Sequence, residues 1–546
     1  MKRFIAVCVC AAFLNPPGGS AQTITLSGSV RHKTTGILLD SVTIEILNET
    51  HPSERYTVQT DALGLWSYTL TSTGVEERVP LPRAFSVGQK YPNPFNPSTS
   101  ISFATPAAGP VTFTVYNALG QLLEQKSLAL DAGNHTVRWM GKGAAGVLFY
   151  SIAFGEHRIT RKMVQLDGHG NGGLGDVVTT GGRATSGALL KGAATAFRII
   201  STRILYMPDT VRTLVEGNAV IDVLLETVHE RAFVIDLHND VLEKAVLGYD
   251  ISVRHTTNHS DLPRFREGGM DGQMFAVWTD PDDSTAHPFY SYTLAMIDTF
   301  NSQIRRNTST FTQARTYDQL MQANAGGKLA GVIGVEGGHA IENDCGKLKA
   351  LYDLGARYLT ITWNNSTSWA VSAQDPRTST VGLSDFGRQV IRTMDSLGML
   401  IDVSHTGIKT IEDILATTKN PIIATHSGVR ALNNHYRNLS DSQIDSIAAR
   451  GGVIGVVFYP TFLSSRRTAT IDTVIRHIDY IRNRVGVDAI AIGADYDGMG
   501  TVPVGLEDVS KMPNLTAALL RRGYSIADVH KILGGNYLRV FRQVCK

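Results

Sequence analysis

The sequence predicts a (β/α)8 barrel, TIM-like in architecture, preceded by all-β sandwich domains in a multidomain chain. Three observations predict it. Near residue 230 the patterning changes from short apolar–polar alternation to apolar runs separated by helical periodicity. Eight such runs occur from there to the end of the chain. Residues able to bind metal or move protons stand just after most of them. With 546 residues, the chain is long enough for roughly three or four domains. An apolar content of 43% allows a buried core and excludes global disorder. Lys+Arg is 51 against Asp+Glu 49, so the basic excess of a nucleic-acid binder is missing and no nucleic-acid partner is expected. Cysteines occur only at Cys8, Cys10, Cys345 and Cys545, which excludes a disulfide-dense scaffold and an all-cysteine metal cluster.

At the start of the chain Lys2 and Arg3 precede an apolar run over 4–14, which Pro16, Pro17, Gly18 and Gly19 break before Ser20-Ala21. This predicts a signal peptide over 1–21 and a secreted, periplasmic or cell-surface chain. The run is too short to span a bilayer. Residues 22–230 alternate in short runs with turns such as Thr60-Asp61-Ala62-Leu63-Gly64. With Leu26-Ser27-Gly28 and the run 42–46, that turn resembles the carboxypeptidase-regulatory-like β-sandwich. Tyr91-Pro92-Asn93-Pro94-Phe95-Asn96-Pro97, Asn117-Ala118-Leu119-Gly120-Gln121 and Gly146-Val147-Leu148-Phe149-Tyr150 resemble the immunoglobulin-like hook-capping and type IX sorting domains. Such sorting domains normally close a chain, and this one is internal. The expected domains are 22–84 plus 193–230 as one split sandwich, 85–166 as an inserted immunoglobulin-like domain, and 167–192 as a Gly/Ser/Thr-rich linker. The barrel takes 231–546.

Its expected strands are 233–237, 273–278, 331–335, 358–362, 400–403, 421–424, 453–458 and 489–492. Helical periodicity lies between most of them, as over 386–397 and 471–484, and over 526–540 after the last. A doubly wound sheet is the alternative. The barrel is favoured by the residues at the strand ends: His238-Asn239-Asp240, Glu336-Gly337-Gly338-His339, Trp363-Asn364-Asn365, Ser404-His405, Thr425-His426-Ser427, Tyr459 and Asp495-Tyr496-Asp497-Gly498. Barrel enzymes place their chemistry at these C-terminal ends.

His238 and Asp240 are two apart, so both side chains leave an extended chain on the same side. With Glu336, His405 and His426 they form a set of three imidazoles and two carboxylates suited to zinc. Five ligands exceed what one catalytic zinc takes and suit two ions sharing a bridging carboxylate and hydroxide. The reaction class is metal-assisted hydrolysis. A lone His at a strand end is more often a hydrogen-bonded structural residue, but convergence on one rim reverses that reading. His339 is expected to brace the Glu336 loop. Asp497 reads as a turn residue, and Asn239 as a turn former or a support for the ligands. His255, His259 and His435 take no role.

The same residues resemble the membrane (renal-type) dipeptidase family. The resemblance runs from about 232 to 546 in order, through the strand-end motifs above, Gly382-Leu383-Ser384, Pro503-Val504-Gly505-Leu506-Glu507-Asp508-Val509 and Asn536 to Phe541. It implies a binuclear zinc barrel, two Zn2+ per chain, that hydrolyses dipeptides and often tolerates a C-terminal D-residue. It implies that His238 and Asp240 hold one zinc, His405 and His426 the other, and that Glu336 bridges. It further implies that Asp495 handles the proton between water and leaving amine. It implies too that Arg437, eleven residues after His426, is the clamp for the substrate carboxylate, a role its planar fork suits. Trp363 stands where mammalian members carry a His contacting the scissile carbonyl region. An indole donates one hydrogen bond and cannot carry a proton. Tyr459 joins Trp363 and Arg437 as a substrate-facing residue.

The expected function is therefore a secreted zinc dipeptidase acting through a metal-bridging hydroxide. The alternatives are another binuclear-metal amide or lactone hydrolase, and a non-catalytic surface display protein. Expected partners are a dipeptide substrate and a cell surface held through the β domains, with a homodimer left open.

Overall fold

In the computed structural model, which describes residues 22–72, 82, 84–88, 95, 98–143, 145–165, 170–180, 195–283 and 288–545, the alternating runs before residue 226 are strands. Residues 1–21, read as a leader, and residues 91–94, 96 and 97 of the proline-rich run lie outside the described residues. The chain divides into two units, Met1–Glu226 and Thr227–Lys546.

In the first unit Gln22–His32 pairs antiparallel with Leu65–Ser72 and parallel with Ala219–Val220 and Val223–Leu225. Thr43–Asn48 lies between Arg55–Gln59 and Thr195–Thr202. Alternation drives Leu26, Ile44, Trp66, Phe197 and Ile199 into one core. The expected turn forms: Asp61 Oδ1 accepts from the N–H groups of Leu63 and Leu65, each at 2.9 Å. We read 22–84 and 193–230 as one split sandwich because strands from both sides of the insertion share these sheets. A second pair of sheets, with Gly109–Asn117 and Gly146–Phe154 in one and Ser98–Thr105 and Gly133–Met140 in the other, closes over Trp139, Phe103, Phe113 and Tyr150. The linker reading fails over 170–180. Leu174–Thr180 pairs with Gly133–Met140, and Gly170–Asn171 pairs with Lys142–Gly143. Glycine-rich composition masked a run whose Leu174 and Val177 pack on the apolar core.

The second unit is a closed parallel barrel of eight strands: β1 (Ile235–Asn239), β2 (Gly272–Trp278), β3 (Leu329–Glu336), β4 (Ala356–Thr360), β5 (Leu400–Asp402), β6 (Ile423–Ser427), β7 (Val453–Val456) and β8 (Ile490–Ile492). Neighbours run β2-β1-β8-β7-β6-β5-β4-β3, and β3 pairs back onto β2. A short strand Phe311–Gln313 borders β3. Helices Asp385–Leu397 and Ile471–Val485 match their expected spans within a residue. The last helix differs: Ile526–His530 and Asn536–Val544 are joined by a π-helical turn, Lys531–Gly535. The barrel interior is filled by Ile235, Leu237, Met274, Val332, Tyr358, Leu400, Ile423 and Val453. Tyr358 fits there because its neighbour in register is Gly334, where a Cβ would come within 1.9 Å of the phenol ring.

Candidate metal centre

Parallel pairing carries the ends of β1, β3, β5 and β6 to one rim of the barrel. His238 lies in β1, and Asp240 comes just after it, held by its N–H on the Tyr496 carbonyl at 2.9 Å. Glu336 ends β3, His405 stands just beyond β5, and His426 lies in β6. All five are buried. His405 Nε2 is 3.0 Å and His426 Nε2 3.5 Å from Glu336 Oε1, and His238 Nε2 is 3.5 Å from Glu336 Oε2. His238 Nε2 is also 3.4 Å from Asp240 Oδ1. Glu336 thus offers one oxygen to each side, the geometry of a bridging ligand. Asp495 offers a carboxylate oxygen within 4.8 Å of ring nitrogens of His238 and His426.

The residues fit cations. His405 and His426 bring their Nε2 atoms to 3.1 Å. Two imidazole lone pairs at that distance repel unless a proton or cation lies between them. Each ring is held from behind through Nδ1: His405 on Asn364 Oδ1 at 3.0 Å, His426 on Thr425 Oγ1 at 2.9 Å, and His238 against the Tyr358 hydroxyl at 3.1 Å. Such partners fix the tautomer that leaves Nε2 free to ligate. The His426 support continues inward, since Thr425 Oγ1 donates to Asp402 Oδ2 at 2.7 Å. Asp402 also accepts from Thr360 Oγ1 at 2.6 Å and from the Ser404 and Thr425 N–H groups.

Burial, with Arg437 adding to it, drops His405 to about 3, and burial with the neighbouring cations holds His426 well below its ordinary range. Both are therefore in the neutral form a metal ligand requires. Burial would also raise Glu336, but the neighbouring His238 outweighs it and holds the carboxyl well below its ordinary range; against burial, Tyr358, Asp240 and Glu336 in turn hold His238 well above its own. Asp495 moves the other way: burial and then the Asp240 charge raise it well above the carboxylate range. A carboxyl so placed holds a proton more readily than an exposed one, as a group that relays protons must. His405, Asp495 and Asp497 all have positive φ, of 65°, 67° and 70°. Each costs about 1 kcal/mol and concentrates strain at the rim.

Arg437 is buried without an acidic partner among the described residues. Its Nη2 donates to the His426 carbonyl at 3.2 Å, and its guanidinium lies 5.2 Å over the Phe462 ring. Tyr459 packs on the same Phe462 at 4.7 Å. Trp363 is half-buried, its ring 6.0 Å from that of His405. The structure thus brings every expected site residue to this rim. His339 Nε2 donates to the Thr279 carbonyl at 2.9 Å, bracing the loop after Glu336. Asp497 does more than turn the chain. It accepts from the His259 N–H at 2.7 Å, while its own N–H donates to His259 Nδ1 at 3.0 Å. His259, given no role from sequence, is half of that clasp. Sequence reading also gave no role to Tyr358, Asn364, Thr425 and Asp402. Their signal was position: each lies in or just after a strand that carries a ligand or borders one that does.

The profile of the membrane dipeptidase family (peptidase family M19) matches residues 224–546, and that of a secretion system C-terminal sorting domain matches 89–165. Among solved structures, the dipeptidase AC, a metallopeptidase of family M19, is 29% identical with a TM-score of 0.54, covering 57% of this chain and 99% of its own. A metallopeptidase from Rhodobacter sphaeroides, liganded with a phosphinate mimic of the dipeptide L-Ala-D-Ala, is 28% identical with a TM-score of 0.54 over 57% of this chain and 99% of its own. The probable dipeptidase PvdM from Pseudomonas aeruginosa is 25% identical with a TM-score of 0.54, over 58% and 96%.

Proposed function

We propose, from the premise that the chain belongs to the membrane dipeptidase family and is a metallopeptidase hydrolase, that it cleaves free dipeptides with two zinc ions at the barrel rim. The observation that carries this reading is the convergence of three imidazole Nε2 atoms on the two oxygens of one buried carboxylate, Glu336. The donor set of imidazoles and carboxylates favours zinc. When bound, the ions would supply Lewis acidity and lower the pKa of a water. His238 and Asp240 would hold one ion, His405 and His426 the other, and Glu336 both. Asp495 takes the proton released by the attacking water and passes it to the leaving amine. Arg437 receives the C-terminal carboxylate, since a buried guanidinium that forms no ion pair among the described residues is a ready anion partner. That clamp restricts substrates to short peptides. The neighbour holding an L-Ala-D-Ala mimic supports tolerance of a C-terminal D-residue here.

The match of 89–165 to a sorting domain supports export and a secreted or surface location. No helix among the described residues is long and apolar enough to cross a membrane. The test is hydrolysis of L,L and L,D dipeptides by the purified protein, before and after chelation and zinc add-back. Turnover lost on chelation and restored by zinc is expected. Bound zinc without dipeptide turnover would redirect the reading to another amide or a lactone.

A further inference from the structure

Two tryptophans border the metal centre on the side away from Arg437. Trp278 ends β2, and its partner in register on β3 is Glu336. Registered residues of parallel neighbours point to the same face. The residues on that face of β2 and β3, Met274 and Val332 among them, fill the barrel interior. Trp278 therefore points inward at the rim, beside Glu336. Trp363, three residues after β4, lies 5.0 Å from the Trp278 ring, the planes inclined by 54°. The same indole is 6.0 Å from His405. The two rings thus form a continuous aromatic wall flanking the bridging carboxylate and one histidine ligand.

Position in the barrel decides what meets that wall. Arg437 is on the loop after β6, and the strand order places β2 on the opposite side of the ring from β6. A dipeptide with its carboxylate on Arg437 and its scissile carbonyl at Glu336 must direct its N-terminal residue toward β2, β3 and β4. We propose that Trp278 and Trp363 form the subsite for the N-terminal side chain, and that they select dipeptides with an aromatic or large apolar N-terminal residue. The inference rests on the dipeptidase reading and on the carboxylate polarity assigned to Arg437. Indole faces bury flat apolar side chains well and offer nothing to a glycine, so selectivity comes from area removed from water.

The test compares kcat/KM for Phe-Ala, Leu-Ala and Gly-Ala, and for Ala-Phe against Ala-Gly, on the zinc-loaded protein. The ratio of Phe-Ala to Gly-Ala is expected to be about tenfold or more, as burial of one aromatic side chain allows. The ratio should fall toward about one in Trp278→Ala and in Trp363→Ala with zinc content unchanged, and Trp278→Phe should keep most of it. A Phe-Ala to Gly-Ala ratio near one in the wild type, or one that Trp278→Ala leaves intact in a folded, zinc-loaded protein, would overturn the proposal while the dipeptidase reading stands. Selectivity for the C-terminal side chain alone would overturn it too. Failure to cleave any dipeptide would remove the dipeptidase reading and this inference with it.

Discussion

Arg437 and Asp402 act on the reaction at different removes, and substitution separates them. Arg437→Met removes a charged donor of the carboxylate clamp, a bond worth about 2–3 kcal/mol when buried, so KM should rise roughly 30- to 150-fold with zinc content unchanged. Asp402→Asn leaves substrate contacts alone. It puts an amide donor where Asp402 now accepts the Thr360 and Thr425 hydroxyls, and so turns Thr425 Oγ1 away from His426. Zinc affinity should fall about 10- to 100-fold, read by chelator competition, with the larger change there rather than in KM. His477 gives a pH prediction. Its Nδ1 accepts from the Val429 N–H at 3.0 Å, and Nε2 donates to the Leu463 carbonyl at 3.1 Å, so the folded site takes only the neutral ring. Burial drops it from 6.5 to about 4. The unfolded chain therefore binds the extra proton, and stability is full above pH 6.5 and lost as pH falls toward 4, by about 3 kcal/mol. Melting curves of the metal-free protein between pH 7 and 5 should fall less steeply in His477→Asn. The five candidate metal ligands were legible in sequence because each has a donor side chain at or beside the end of an apolar run. Tyr358, Asn364 and Asp402 were not, because their roles depend on which strands lie side by side.

At the scale of elements, register carries more than composition does. Runs such as 453–458 and 489–492 were readable because strands buried on both faces are continuously apolar. Leu174–Thr180 was not, because glycine on both sides hid a sandwich strand. Nor was the π-helical turn Lys531–Gly535, which leaves the apolar periodicity nearly intact. Gly334 shows how an element serves the site. It lies in β3 two residues before Glu336, and Tyr358 of β4 fills the space over it and meets His238. A methyl there would overlap the ring at 1.9 Å, with strand backbone on both sides unable to retreat. Gly334→Ala should cost about 1–3 kcal/mol. It should also weaken zinc binding by displacing the His238 support, whereas Tyr358→Phe should weaken zinc binding with a smaller loss of stability. Thermal melts and zinc titration of both variants separate packing from support.

For the whole molecule, the centre ties together elements far apart in sequence. Its candidate ligands come from β1, β3, β5 and β6, with Asp495 after β8 beside them, so cations held there would crosslink strands around the barrel. The N-terminal unit Met1–Glu226 has separate apolar cores, one around Leu26 and Trp66 and one around Phe113 and Trp139. Neither core contains a residue of the centre. A ligand that binds only the folded state stabilises it by RT ln(1 + [L]/Kd), about 4 kcal/mol at a thousandfold excess over Kd. For a barrel of this size that is a shift of roughly 6 °C. Calorimetry should therefore resolve one transition that zinc raises by this amount and chelation lowers, and another that neither changes. Glu336→Gln should abolish the zinc-dependent shift and leave the second transition where it was. Both transitions moving together would mean that the two units unfold as one cooperative block. A barrel transition indifferent to zinc would mean that the five converging ligands do not hold it.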